Sequence, residues 1–278
     1  MEAARRSTPN ILTMIFFQLV QLLNIYFVGH IGSDYLAGVG LGNMLLNVFI
    51  FAMSNGLNGT VESFISWALG ERDFKLCGIR LNQARIIVMT VLVPFILMFF
   101  FVDKILIAIK QDPWVSLIAR NYVVWTLPGV LSLVQFDALK RFLQVVDYSH
   151  VSTTIQVSTT IGHYFWGYLF IIHLDWKVAG AALALNTTYI TNFLIQEFYV
   201  HTCGSRNTIN VKRKDDSISE QDTVTIKDVM QPLFTAQSFN KAQWCEFFKL
   251  GIPGTLMQCA EWWAFELLAI FAGILGTH

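Results

Sequence analysis

The sequence predicts an all-α, polytopic membrane protein: one six-helix lobe followed by the first helix of an internal repeat. Three observations carry this. Of 278 residues, 54% are hydrophobic and only 14% charged, where a soluble domain carries about 25% charged residues. Apolar windows of about 20 residues, enough to cross ~30 Å of hydrocarbon, recur seven times along the chain. Residues 250–276 also repeat the pattern of residues 6–32. At an offset of 244, Pro9 falls on Pro253, Leu12 on Leu256, Phe27 on Phe271, Gly29 on Gly273 and Gly32 on Gly276. Six spans lie between the two starts, and repeats of this kind mark secondary transporters.

The first span is Pro9–Val28. It lacks a small-residue cleavage site and is too long for the core of a signal peptide. Gln18, Gln21 and Asn24 recur on it every three residues, a spacing that keeps them on one helical face. Lipid cannot satisfy amides, so this stripe faces either other helices or a water-filled cavity. The second span, Leu41–Phe64, carries Glu62 toward one end. Snorkelling or a salt bridge to a loop arginine competes there with a role in transport. The third span is Ala84–Val102. The fourth, Val115–Leu139, ends in Asp137 beside Lys140 and Arg141, which reads as an interfacial charge cluster.

The fifth span, Val151–Ile172, holds His163 among Tyr164, Trp166 and Tyr168. His163 is either a hydrogen-bonded structural group or a proton carrier. The aromatics, with Phe49 and Phe51, offer faces for cation–π contact with an organic cation. The sixth span, Val178–Val200, gives way to a polar stretch from Thr202 to Cys245 with the run Lys212-Arg213-Lys214-Asp215-Asp216. This stretch reads as a plain tether, mobile over Asn207–Thr225, with a regulatory or targeting segment as the alternative, and Lys241–Lys249 reads as an amphipathic lead-in to the seventh span, Phe247–Leu275. The domain division is then 1–201 for the lobe, 202–246 for the linker and 247–278 for the first helix of a second lobe. That last helix is expected to stand apart from the lobe.

Ionisable groups inside a bilayer are costly and mark function by default. Glu261 lies about 14 residues into the last span, roughly 21 Å along a helix rising 1.5 Å per residue, and so near mid-membrane. Glu266 follows five residues later, about 140° around the helix, so the two do not line one narrow stripe. A carboxyl at this depth either exchanges a proton or stays protonated and hydrogen-bonded within the bundle.

Basic residues favour cytoplasmic loops. With the N-terminus inside, 15 of the 19 Lys and Arg are cytoplasmic, and only Lys104, Lys110, Arg120 and Lys177 fall outside. Net charge is zero, which gives no case for nucleic acid. Cys77, Cys203 and Cys245 fall on the reducing side. No Cys/His cluster, phosphate-binding loop or nucleophile elbow is found, so no metal, cofactor or enzymatic activity is expected.

Several of these segments resemble the multidrug and toxic-compound extrusion (MATE) family, closest to its eukaryotic branch. Phe27-Val28-Gly29-His30-Ile31-Gly32 with Leu36-Ala37-Gly38 looks like that family's end of the first span, and Arg141-Phe142-Leu143-Gln144 like its loop after the fourth. Gln111-Asp112-Pro113 and Gly180-Ala181-Ala182-Leu183-Ala184 also match. Most specific is Lys249-Leu250-Gly251-Ile252-Pro253 leading to Glu261-Trp262-Trp263-Ala264-Phe265-Glu266-Leu267. The resemblance implies a twelve-span antiporter of which this chain holds seven spans. Such a protein exports organic cations or xenobiotics in exchange for protons or sodium, at a plasma or vacuolar-type membrane. It places substrate or proton binding on Glu261, Glu266 and Glu62; the polar stripe adds Gln21 and Asn24 as candidates, and His163 stands where plant-type members often carry a His. Trp67-Ala68-Leu69-Gly70 and the valines Val146 and Val151 depart from the family pattern. A seven-helix receptor and a non-transporting membrane subunit are the alternatives.

Overall fold

The computed structural model describes residues 2–204, 208–210, 223–230 and 236–275. The side chain of Glu266 and the run from Lys212 to Asp216 lie outside the described residues. Helix α1 is Glu2–Gly29. Helix α2, Ser33–Leu46, runs through a π-helical segment, Asn47–Phe51, into α3, Ala52–Gly70. Then come α4 (Phe74–Phe99), the short α5 (Val102–Ala108), α6 (Pro113–Val145) and α7 (Ser149–Gly167), which ends in a second π segment, Tyr168–His173. Helix α8 is Lys177–Thr202. Strands β1 (Thr208–Asn210) and β2 (Thr223–Thr225) pair antiparallel, followed by α9 (Ile226–Val229), a 3₁₀ turn (Ala236–Phe239) and α10 (Lys241–Leu275).

The expected spans fall on these helices, with different ends. Among the described residues, five stretches are long and apolar enough to cross a membrane: Ser7–Gly29, Ser33–Gly70, Phe74–Phe99, Pro113–Val145 and Lys177–Thr202. Helix α7 is too polar for that group, and packing supplies the reason: its Ser152, Thr153, Gln156, Thr159, Thr160 and His163 are all buried. They turn toward other helices instead of lipid. Asn192 of α8 donates to Gln156 Oε1 at 3.1 Å, and Thr13 of α1 bonds Thr153 at 2.9 Å.

The third span begins ten residues before its expected start, because the charges taken to mark a loop lie inside α4. Asp73 caps that helix by accepting from Leu76 N at 2.9 Å. Arg80 and Arg85 are 9% and 6% exposed, each paired with a glutamate. A buried arginine is tolerated when a carboxylate pairs with it, as Glu246 and Glu197 do here. A helix can therefore continue well past its apolar run.

Helices α6 and α8 form the centre of the lobe. Helix α1 lies along α7, α2 along α6, and α3 between α4 and α6. Pro128 sits inside α6 and cannot donate to the helical ladder. One turn of α6 is instead completed by Asn186 of α8: its Oδ1 accepts from Gly129 N at 2.8 Å, and its Nδ2 donates to Trp125 O at 2.6 Å. The approach requires a glycine, since a Cβ at Gly129 would lie 2.6 Å from Asn186 Cα. Asn186→Leu leaves both backbone groups unpaired in a dry interior, at about 1–3 kcal/mol for each. The expected result is a drop in the melting temperature of the purified protein. An unchanged melt would mean that α6 does not need the clasp.

The seventh span does not stand apart. Helix α10 lies along α3 on the rim of the lobe, on a face of small residues. A Cβ at Gly56 would be 2.4 Å from Thr255 Cα, and Gly251 faces Thr60. Small residues let two backbones approach closely where lipid gives little hydrophobic drive. The rings of Phe64 and Phe247 stack at 6.0 Å. Leu250, Ile252, Leu256, Met257 and Trp263 on α10 remain exposed.

The described parts of the linker are also more ordered than a plain tether. Thr225 and Asp228 form a capping box on α9, and hydrogen bonds from Thr225 hold the Asp228 carboxyl below its usual range. The capped turn buries Ile226 and Val229 against the lobe, with Ile209 of the hairpin also buried. Lys227 N donates to Gly204 O at 3.4 Å, tying this turn to the end of α8.

Candidate functional site

The α3–α4 turn, the α6–α7 turn, the end of α8 and the start of α10 share one end of the bundle, here the lower end. Acidic side chains on the long helices concentrate toward it, and most are matched by a cation. Glu246 of α10 meets Arg80 Nη2 of α4 at 2.7 Å. Arg80 also lies 4.7 Å above the Phe64 ring, and Gln83 of α4 donates to Gln243 of α10. Glu197 of α8 meets Arg85 at 3.3 Å and His201 at 3.5 Å. Arg85 Nε donates to Gln135 of α6 at 2.7 Å.

Glu62 and Asp137 belong to one cluster where α3 crosses α6. Positions 55, 58 and 62 share a face of α3, and 137, 140 and 141 share a face of α6. Asp137 takes three donors: Lys140, Arg141 Nε at 3.2 Å and Asn58 Nδ2 at 3.0 Å. Arg141 extends Nη2 to Asn55 Oδ1 at 3.3 Å and Nη1 to Glu62 Oε2 at 3.4 Å. The Glu62 side chain is 49% exposed, against 14% for Asp137. Glu62 is therefore salt-bridged, to a helix arginine and not to a loop one. Asp137 is an internal anchor, more enclosed than an interfacial cluster.

Glu261 is different. It is exposed on α10 and accepts from Gln258 Nε2 at 3.3 Å. Among the described carboxylates of α3, α6, α8 and α10, Glu261 alone has no cationic partner. The Gln258 and Glu261 pair sits three residues apart on one face of α10.

Gln21 and Asn24 lie inside the lobe. Asn24 Nδ2 donates to the Tyr122 hydroxyl at 3.1 Å, which donates to Asn43 Oδ1 at 2.8 Å. Gln21 Nε2 donates to the Tyr189 hydroxyl at 2.7 Å. Both tyrosines are fully buried, and the hub joins α1, α2, α6 and α8. Gln21 Oε1, Asn24 Oδ1 and Asn43 Nδ2 are buried with no hydrogen-bond partner among the described residues. Gln18, the third member of the expected stripe, is exposed, as slow drift at three-residue spacing allows.

His163 is fully buried. Its Nδ1 bonds Thr188 Oγ1 at 2.8 Å, and that hydroxyl donates to Ala184 O at 2.9 Å. The hydroxyl proton being committed, Nδ1 carries the imidazole hydrogen, and Nε2 is an acceptor without a partner among the described residues. Tyr164, Trp166 and Tyr168 are exposed, while Phe49 packs on Phe95 and Phe51 on Phe17. Among the described residues no hydrogen bond or ion pair joins Glu261, Glu62 and His163 to one another or to Gln21 and Asn24, so the candidates are not gathered into one site. Sequence reasoning missed Arg80, Arg85, Glu197, Glu246 and the Tyr122 hub. A helical pattern continued through the charges was the available signal for the first two.

Comparison with known proteins follows the same outline. Residues 9–169, more than half of the chain, match the MatE family model. Protein DETOXIFICATION 8 of Arabidopsis thaliana is 25% identical over 258 residues, 92% of this chain and 48% of that protein. Multidrug and toxin extrusion protein 1 of Oryctolagus cuniculus is 26% identical over 269 residues, 96% of this chain and 43% of that protein. The crystal structure of a eukaryotic MATE transporter superimposes with a TM-score of 0.82 at 23% identity, over 98% of this chain and 56% of that one. The chain spans about half the length of the curated relatives it matches.

Proposed function

This chain belongs to the MatE family, and from that premise we propose that it forms the first lobe and seventh helix of an antiporter. Its cargo is organic cations or related xenobiotics, exported in exchange for protons or sodium. The observation that carries the reading is Glu261, a carboxylate on a membrane helix with an amide neighbour and no fixed cation. Such a group is free to take a proton, a sodium ion or a cationic cargo in turn. Glu266 is proposed as a second carboxyl on the same helix, with Glu62, Gln21, Asn24 and His163 as further polar points. The family match favours a transporter over a seven-helix receptor.

The distribution of basic residues supports placing the lower end in the cytosol, with the N-terminus on that side. On this reading, Arg80–Glu246 and Gln83–Gln243 close the cytosolic edge between α4 and α10. Transporters with repeated halves alternate access by rocking one half against the other around a midplane site, so these contacts must part during the cycle. The test is efflux of ethidium from preloaded cells expressing the full-length protein. Efflux is expected to rise at least tenfold when an inward proton gradient is imposed and to collapse with a protonophore. Acceleration by sodium alone assigns sodium as the coupling ion. Efflux indifferent to both gradients would count against antiport.

A further inference from the structure

We propose that Arg141 is a tethered stand-in for the cargo: it occupies Glu62 while the site is empty, and an organic cation of ammonium or guanidinium type displaces it. The cargo class rests on the export reading above; the location rests on how Arg141 is shared. Asp137 and Asn55 hold Arg141 through Nε and Nη2, leaving only Nη1 for Glu62 at 3.4 Å. Asp137 is held in turn by Lys140 and Asn58. When Glu62 turns away, Arg141 loses one hydrogen bond and keeps two, so it stays in place. Glu62 loses the one ion pair described for it, and an arriving cation restores that pair.

Space for the arrival exists on the same side of α3. Ser63 and Ser66 are exposed, and a Cβ at Gly59 would meet nothing within 4 Å. Glu62 lies between them at helical spacing, 49% exposed. The resident guanidinium sets a threshold, because a cargo must compete with it for the carboxylate. Asp137 is a positioning residue here: it never meets the cargo, but it keeps Arg141 from following Glu62.

The experiment is ethidium binding, without any gradient, to the protein reconstituted in nanodiscs. Arg141→Gln is expected to tighten binding at least tenfold, since the competitor for Glu62 is gone. Glu62→Gln should remove that gain, and the double variant should behave like Glu62→Gln alone. Unchanged or weaker binding by a folded Arg141→Gln protein overturns the proposal, as does a gain that survives Glu62→Gln. Should Arg141→Gln fail to fold, labelling of Glu62 by a water-soluble carbodiimide in the unmutated protein decides the matter. Added ethidium must protect Glu62, and labelling that ethidium does not change overturns the proposal. Loss of gradient-driven efflux with this binding intact would count against the antiport reading alone.

Discussion

Glu261→Gln is expected to lower gradient-driven export to the leak rate, a loss of at least a hundredfold, while leaving the protein folded. Glutamine keeps the shape and hydrogen-bonding reach of the side chain but cannot release a proton or neutralise a bound cation. The cost to the fold is small because Glu261 is exposed and makes one side-chain hydrogen bond, to Gln258. Net losses of this kind amount to about 0.5–1.5 kcal/mol. Chemistry and packing are therefore separable at this position. Glu266→Gln is expected to do less and Glu62→Gln to fall between them. The measurement is ethidium efflux from cells under an imposed pH gradient, with melting of the purified variants as the control for folding. Unmutated efflux rates in Glu261→Gln would show that the unpaired carboxylate is not the coupling group.

Asp137→Leu is expected to have the largest effect on stability. Asp137 is enclosed and receives Lys140, Arg141 and Asn58. Removing it leaves two cations inside the helix bundle with Glu62 as the one remaining counter-charge. Breaking a buried pair in this way costs about 3–5 kcal/mol, because the orphaned charge is not resolvated. Glu62→Gln is the contrast: a half-exposed partner of Arg141 contributes about 0–1 kcal/mol. Melting of the two purified variants in detergent should separate them clearly, with Asp137→Leu/Lys140→Met recovering part of the loss. Equal melting temperatures for Asp137→Leu and Glu62→Gln would mean that the cluster is solvated and Asp137 anchors nothing.

The contrast between these two acids also marks how far the sequence could be read. Both were visible as charges near helix ends, at matching depth on the second and fourth spans. Nothing in their spacing distinguished the anchor from the exchangeable partner. That distinction depends on which neighbouring helix supplies donors, and Asn58 and Arg141 reach Asp137 only because α3 crosses α6 at that level. Likewise the Gln21 and Asn24 stripe was legible as polar, but its partners Tyr122, Tyr189 and Asn43 lie on three other helices. The folded turn of the linker was more accessible. Thr225 and Asp228 have capping-box spacing ahead of two apolar residues, a local signal that the polar composition around it obscured.

What the sequence by itself determined is what local chemistry and periodicity control. Low charge and long apolar runs required helices in a membrane, since no other open structure satisfies the backbone there. The Glu261 neighbourhood marked the helix that carries the unpaired acid. Tertiary structure decided where charged helices end, how α10 meets the lobe and which carboxylates are already occupied. Arg80 and Arg85 extend α4 because glutamates on α10 and α8 meet them. Helix α10 docks on α3 because Gly56 and Thr255 let the backbones touch. Each of these is a contact between residues far apart in the chain. The free energy of a charge or a glycine in a membrane depends on what lies opposite it, and only the assembled bundle specifies that.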